Sequence, residues 1–195
     1  MVNSKKIGIL ALQGDVSEHI NATKKAANNL GLECEIIEVR TREQITGLDA
    51  IIIPGGESTV LQKLCERAGI FEDIKKIKNI FGTCAGTIML AKNIHNKEPE
   101  QKTLELMEIE VDRNAYGRQA DSFEKNIETV LGSMHGVFIR APKIRSIKEN
   151  VRVLAKNENE IIACEQKNNG NYYLVTTFHP ELTTTQFHEH FLQNL

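Results

Sequence analysis

The stretch Phe81-Gly82-Thr83-Cys84-Ala85-Gly86-Thr87-Ile88-Met89-Leu90-Ala91 decides how this chain is read. Ile80 and Phe81 end a short apolar run of the kind that forms a buried strand, and Ala85 to Lys92 is a good helix former with an apolar stripe. Between them a cysteine has a glycine two residues away on either side. The spacing G-x-C-x-G is the thiol counterpart of the G-x-S-x-G elbow, in which a nucleophile sits on a sharp strand-to-helix turn. A side chain at either glycine would crowd that turn and the neighbouring backbone. A cysteine at the first turn of a helix also feels the positive end of the helix dipole, which favours the thiolate. The plain alternative is a buried structural cysteine, since free cysteine is among the most buried residue types.

Upstream, Lys6 to Leu12 reads as a buried strand ending in Gln13-Gly14-Asp15, and Val16 to Leu30 as a helix that Asp15 or Ser17 could cap. Glu33 to Val39 and Ala50 to Ile53 are two further apolar strands. Strand, helix, strand in this order predicts parallel βαβ units. The strand Ala50 to Ile53 stops at Pro54-Gly55-Gly56-Glu57-Ser58-Thr59, and Val60 to Arg67 and Phe71 to Ile77 read as helices. A Gly-Gly pair at the carboxyl end of a parallel strand lies where open α/β sheets place their ligands. It is either a bare turn or a loop whose backbone N–H groups approach a developing oxyanion, together with the N–H of Ala85. It is not a phosphate loop, since neither G-x-x-x-x-G-K nor G-x-G-x-x-G is present.

Downstream, Asn93 to Lys102 is polar, interrupted by Pro99, and expected to be an exposed loop. Leu104 to Val111, Val137 to Ile139, Val151 to Leu154, Ile161 to Cys164 and Tyr172 to Thr177 are strand candidates, and Gln186 to Leu195 a closing helix. The second half therefore adds antiparallel pairing to a parallel core. The last strand runs into His179-Pro180-Glu181. In an extended segment residues i and i+2 face the same side, so Glu181 can fix the tautomer of His179 and leave its other nitrogen free as a base. Pro180 restricts His179 to an extended backbone. Cys84, His179 and Glu181 form a candidate triad, against the alternative that the tripeptide is an ordinary loop. Arg113, in the polar stretch Val111 to Gln119, and Arg140, at the end of another strand, are candidates for holding a substrate carboxylate. The alternative for both is a solvated loop and a rim ion pair.

The composition narrows the classes of function. A chain of 195 residues, 41% hydrophobic and 26% charged, suits one globular domain, expected over residues 1–195. A net charge of −2 gives no basic footprint for nucleic acid and no polybasic segment for a membrane. No apolar run approaches the roughly 20 residues that span a bilayer, and Met1 to Lys6 leads straight into a strand, which points to the cytoplasm. Cys34, Cys65, Cys84 and Cys164 lie too far apart for a C-x-x-C pair, and no disulfide framework is expected. His188 and His190 are read as an exposed helical tail, and no metal is expected.

With these pieces assembled, the sequence resembles the class I (triad) glutamine amidotransferases, and within them the glutaminase subunits of pyridoxal 5′-phosphate synthases. The elbow and His-Pro-Glu carry the broad resemblance. Leu10 to Asp15 with Glu18-His19 and Pro54 to Thr59 also match, and the finer resemblance rests on Arg113-Asn114 with Gly117-Arg118-Gln119 and Asp121 to Glu124, and on Phe138-Ile139-Arg140-Ala141-Pro142. The sequence departs from the pattern at Lys75 to Ile80, which lacks the usual glycine and proline, and at Asn93 to Thr103, which is longer and charged.

The resemblance implies a three-layer α/β sandwich with a flavodoxin-like core, its sheet mixed and mostly parallel, flanked by helices. It implies that Cys84 is the nucleophile, His179 the acid and base, and Glu181 its partner. Gly56, Glu57, Ser58, Arg113, Ile139 and Arg140 would bind L-glutamine, Gly56 and Ala85 would form the oxyanion hole, and the Gln13-Gly14 loop would respond to partner docking. The implied partner is a (β/α)8-barrel synthase that takes the ammonia to make pyridoxal 5′-phosphate, which is a product and not a cofactor here. Three other readings remain: a glutaminase subunit of another synthase, such as the one making imidazole glycerol phosphate; a cysteine peptidase-like hydrolase; and a regulatory binding module. The Phe-Ile-Arg-Ala-Pro block speaks against the first, and an intact triad against the last.

Overall fold

The computed structural model describes residues 4–113 and 122–195, which form twelve strands and five α-helices. The strands are β1 (Lys5–Leu10), β2 (Cys34–Val39), β3 (Ala50–Ile53), β4 (Asn79–Thr83), β5 (Ala91–His95), β6 (Met107–Asp112), β7 (Ser122–Thr129), β8 (Gly132–Ile139), β9 (Lys143–Ile147), β10 (Val151–Asn157), β11 (Glu160–Asn168) and β12 (Asn171–Thr176). The helices are α1 (Val16–Leu30), α2 (Ser58–Arg67), α3 (Phe71–Ile74), α4 (Ala85–Leu90) and α5 (Gln186–Gln193).

One long sheet runs β2-β1-β3-β4-β12-β11-β10-β7-β8. Its first five strands are parallel to one another. From β11 onward the pairing is antiparallel, and β5, β6 and β9 form a branch joined to β11 through β9. The order 2-1-3-4 followed by β12 is that of a flavodoxin-like sheet, whose chain reverses direction of winding between β1 and β3.

Side-chain alternation explains the three layers. In β3, Ala50 and Ile52 pack on one core while Ile51 and Ile53 pack on the other, and in β12 Tyr172 and Leu174 alternate with Tyr173 and Val175. Both faces of these strands are buried, which is why they read as unbroken apolar runs. Helices α1 and α5 cover one face through Ala26, Ala27, Phe187 and Phe191. Helices α2, α3 and α4 cover the other through Leu61, Phe71, Ile74 and Ile88.

Several expectations need correction. The helix after the elbow ends at Leu90, and Ala91 to His95 turns back into a strand paired with β6, so Asn93 to His95 are not loop. The helix expected over Phe71 to Ile77 is one turn long. His188 is fully buried, on the face of α5 that carries Phe187, Phe191 and Leu192, and is not part of an exposed tail. Asp15 occupies the N-cap position of α1 without a side-chain cap bond, and Ser17 bonds to Glu18 instead. The strands β7 and β9 are not among the expected strands, because they carry little apolar periodicity. Asn114 to Gln119 and Asp121, part of the resemblance, lie outside the described residues. Among the described residues no helix is long and apolar enough to cross a membrane.

Candidate active site

The carboxyl ends of β1, β3, β4 and β12 lead into the loops that build one cleft of about 520 Å³. This is where a doubly wound parallel sheet places its ligands. The cleft is lined by Gly56, Glu57, Ser58, Cys84, Arg113, Ile139, Arg140 and His179, with Asp15 and Ile88 added. Each proposed triad and substrate residue except the buried Glu181 is therefore on its wall.

Cys84 links β4 to α4 with φ 47° and ψ −99°, a backbone conformation unfavourable for a residue with a Cβ. The elbow is held by its own backbone: the Cys84 N–H donates to the Thr176 carbonyl at 2.8 Å. The flanking glycines are sterically required. A Cβ on Gly86 would lie 2.3 Å from the Ile53 carbonyl oxygen, and one on Gly82 would lie 2.6 Å from the Gly86 backbone. Ala85 is the first residue of α4, so its N–H is among those that a helix start leaves without an internal partner.

His179 reaches the cleft from the end of β12, with its N–H donating to the Val137 carbonyl. Its Nδ1 lies 2.8 Å from Glu181 Oε1. The extended geometry expected for this pair is not what creates it. Pro180 to Leu182 close a 3₁₀ turn, and that turn swings the Glu181 carboxylate back onto the ring. A second carboxylate shares the same nitrogen, since Asp15 Oδ2 lies 3.1 Å from Nδ1. Burial alone would lower the His179 pKa, but the Asp15 and Glu181 carboxylates on Nδ1 and the nearby Cys84 sulfur outweigh it and push it up to about 12. Burial pushes the Glu181 carboxyl up, opposed by His179, while the bond from His179 holds Asp15 below its ordinary value. The ligand atoms of Asp15, His179 and Glu181 lie within 4.8 Å of one another, a spacing that could suit a cation. An Nδ1 that donates to two carboxylates, however, has no lone pair to give a metal.

The loop after β3 is tied to the loop after β1. With its amide assigned so that both of its groups are paired, Gln13 donates to the Glu57 carbonyl at 3.2 Å and accepts from the Glu57 N–H at 2.7 Å. Gly14, at φ 96°, packs so closely that a Cβ would lie 1.9 Å from the Gly55 carbonyl oxygen, and a Cβ on Gly55 would lie 2.3 Å from His179 Cε1. Gly56 has φ 136°, open to glycine alone. Glu57 caps α2 by accepting from the N–H groups of Thr59 and Val60. Burial would raise its pKa, but those two bonds and Arg113 hold it below the usual carboxylate range.

Arg113 is nearly buried, and its guanidinium is already engaged. It donates to Glu57 at 2.9 Å and to Glu98 at 3.0 Å. Gln101, buried beside it, donates to Ser58 Oγ at 3.0 Å. Glu98 and Gln101, expected in an exposed loop, are neighbours of the cleft that no local signal in the sequence marks. Asp15, expected to cap α1, faces His179 instead. His19 and Thr83 touch behind the triad. A signal for His19 was present: with Ala22, Thr23, Ala26 and Ala27 it continues the buried stripe of α1.

A protein named pyridoxal 5′-phosphate synthase subunit PdxT, from Pyrococcus horikoshii, is 48% identical over 198 residues, covering 97% of this chain and 99% of its own. A protein of the same name from Methanothermobacter thermautotrophicus is 44% identical, covering 97% and 96%. A crystal structure of a glutamine amidotransferase superposes with a TM-score of 0.82 at 44% identity, covering 96% of this chain and 97% of that one. The sequence pattern of the SNO glutamine amidotransferase family matches residues 9–195. The chain belongs to the SNO glutamine amidotransferase family.

Proposed function

We propose that this chain is the glutaminase subunit of a pyridoxal 5′-phosphate synthase, hydrolysing L-glutamine to L-glutamate and ammonia. The observation that carries the reading is one cleft lined by both Cys84, on its strained elbow, and a His179 ring anchored by the Glu181 carboxylate at 2.8 Å. The family membership and the relatives named PdxT support it. Residues 1–195 act as one glutaminase domain in the cytoplasm, a setting in keeping with the four free cysteines.

In this mechanism the Cys84 thiolate attacks the side-chain amide carbon of glutamine. The oxyanion is received by the N–H groups of Gly56 and Ala85, and the protonated His179 ring gives its proton to the departing ammonia. A γ-glutamyl thioester remains on Cys84. His179, now neutral, takes a proton from water, which attacks the thioester and releases glutamate. The high pKa of His179 keeps the ring charged at rest and so ready for the first proton transfer. Glu57, Ser58, Arg113, Ile139 and Arg140 hold the amino-acid end of the substrate, with the Arg113 and Arg140 cations toward its carboxylate and Glu57 toward its ammonium.

Ammonia passes to a (β/α)8-barrel synthase subunit, which docks near Gln13 and Gly14. The Gln13 bonds to Glu57 give docking a route to the oxyanion loop. Glutamate release by the purified chain, alone and with the synthase added, tests the assignment. Stimulation by the synthase is expected. Equal rates would remove the gating and the partner, and no release from either folded sample would remove the glutaminase.

A further inference from the structure

Behind the triad lies a buried pair of histidines that the mechanism above does not use. His19 Nδ1 is 3.0 Å from His188 Nε2, and His19 Nε2 is 3.0 Å from Thr83 Oγ1, next to the nucleophile in sequence. His19 Nε2 also lies 3.5 Å from Glu181 Oε1, the same oxygen that receives His179 Nδ1, and both side chains are shut off from solvent. The pair thus joins α1, α5, the elbow strand and the triad carboxylate at one point.

We propose that His19, with its tautomer set by His188, is a positioning residue that holds the Glu181 carboxylate in place behind His179. This rests on the glutaminase reading given above. Burial keeps both histidines neutral, so each carries one N–H. If His19 carried its proton on Nδ1, its Nε2 lone pair would face the Glu181 carboxylate. His188 would then have its proton on Nδ1, which is buried with no partner among the described residues. The opposite arrangement has neither fault. The His188 Nε2–H donates to His19 Nδ1, the His19 Nε2–H points at Thr83 Oγ1 and the carboxylate, and the orphan on His188 is a lone pair. An unfilled lone pair costs less than a buried N–H with no acceptor.

The consequence is electrostatic. Glu181 Oε2 is buried and has no hydrogen-bond partner among the described residues, and burial favours its neutral acid. The His19 N–H offsets that by placing a positive dipole end near Oε1. The ionisable groups that bear on the His179–Glu181 pair are Asp15 from the loop before α1, His19 from α1, Cys84 from the elbow, and His188 from α5 acting through His19. Among the described residues, Asp15 and Glu181 alone bring negative charge to His179 Nδ1. Loss of the His19 N–H weakens the second of these and leaves the first.

The test measures steady-state glutamine hydrolysis with the synthase present, and the NMR titration of the His179 ring, in variants of the full chain. His19→Leu and His188→Leu should each lower kcat by roughly 10- to 100-fold, with KM changed by less than about threefold. The His179 ring should titrate at lower pH in His19→Leu than in the native chain. The double variant His19→Leu/His188→Leu leaves no unpaired polar atom of the pair and should fold, yet remain slow. If the leucine variants do not fold, His19→Gln against His19→Asn carries the same readouts. Glutamine can present an N–H near the position of ring Nε2 and asparagine cannot, so the first should be the faster. Native kcat and an unchanged His179 titration in the folded double variant, or equal rates in the Gln and Asn pair, would overturn the proposal. Cys84→Ala is the control for the underlying reading: if its turnover matches the native chain, the glutaminase assignment fails rather than the role of His19.

Discussion

The carboxylate of Asp15 stands 3.1 Å from Nδ1 of His179, on the nitrogen that Glu181 also occupies. His179 therefore has two anionic partners, one buried and one partly exposed on a loop. Replacing Asp15 by Asn removes one of them and should move the titration of the ring to lower pH, as followed by NMR. The sign of the stability effect follows from the raised value. The unfolded ring, near 6.5, releases its proton as pH passes neutrality while the folded ring keeps it toward about 12. The contribution of this group is therefore complete below 6.5 and declines across the alkaline range. The melting temperature of the native chain should fall with rising pH in that window, and more steeply than that of Asp15→Asn.

The backbone of Cys84, at φ 47°, stores strain for the sake of the elbow. Cys84→Gly should relieve it. We expect a gain of about 1 kcal/mol, which for a chain of this length raises the melting temperature by roughly 2–4 °C. Glutamine turnover should vanish in the same variant. A lower melting temperature would show that the elbow is not strained.

Gly55 faces His179 so closely that an added Cβ would sit 2.3 Å from Cε1. Gly55→Ala should displace the ring and lower glutamine turnover by about 100-fold, the cost of misplacing a catalytic group by an ångström. The melting temperature checks that the fold survives. Native turnover in a folded Gly55→Ala chain would contradict the packing described.

Gln101 bridges Ser58 Oγ, at 3.0 Å, and Arg113 Nη1, at 3.5 Å. Gln101→Ala frees both from the strap and should raise KM for glutamine by about tenfold, as one lost hydrogen bond near a charged group predicts. Because Gln101 lies away from the sulfur and the ring, kcat should change little. A fall in kcat at constant KM would place it in the chemical step instead.

Much of this architecture was legible in the sequence because the parallel strands are buried on both faces. The runs in β1, β3 and β12 admit few other readings, and G-x-C-x-G and His-Pro-Glu fall at strand ends where the topology must bring them together. What was not legible depends on contacts distant in the chain. His188 lies 169 residues from His19, and only the packing of α1 on α5 shows why a histidine occupies an apolar face. Asp15 has the position of a helix cap, and nothing local says that its carboxylate turns to His179. The strand β5 does not read as one because Lys92 and Asn93 are consecutive polar residues and His95 is a third, and its pairing with β6 shows only in the register.

The central claim is that Cys84 carries a γ-glutamyl group during turnover. Mixing the chain with glutamine and the synthase, quenching in acid within the first turnovers and weighing the protein by mass spectrometry tests it most directly. The account predicts a mass gain of one γ-glutamyl group on the peptide that contains Cys84, decaying as glutamine is exhausted and absent in Cys84→Ala. Glutamate release at the native rate by Cys84→Ala, with no adduct on the native chain, would contradict it.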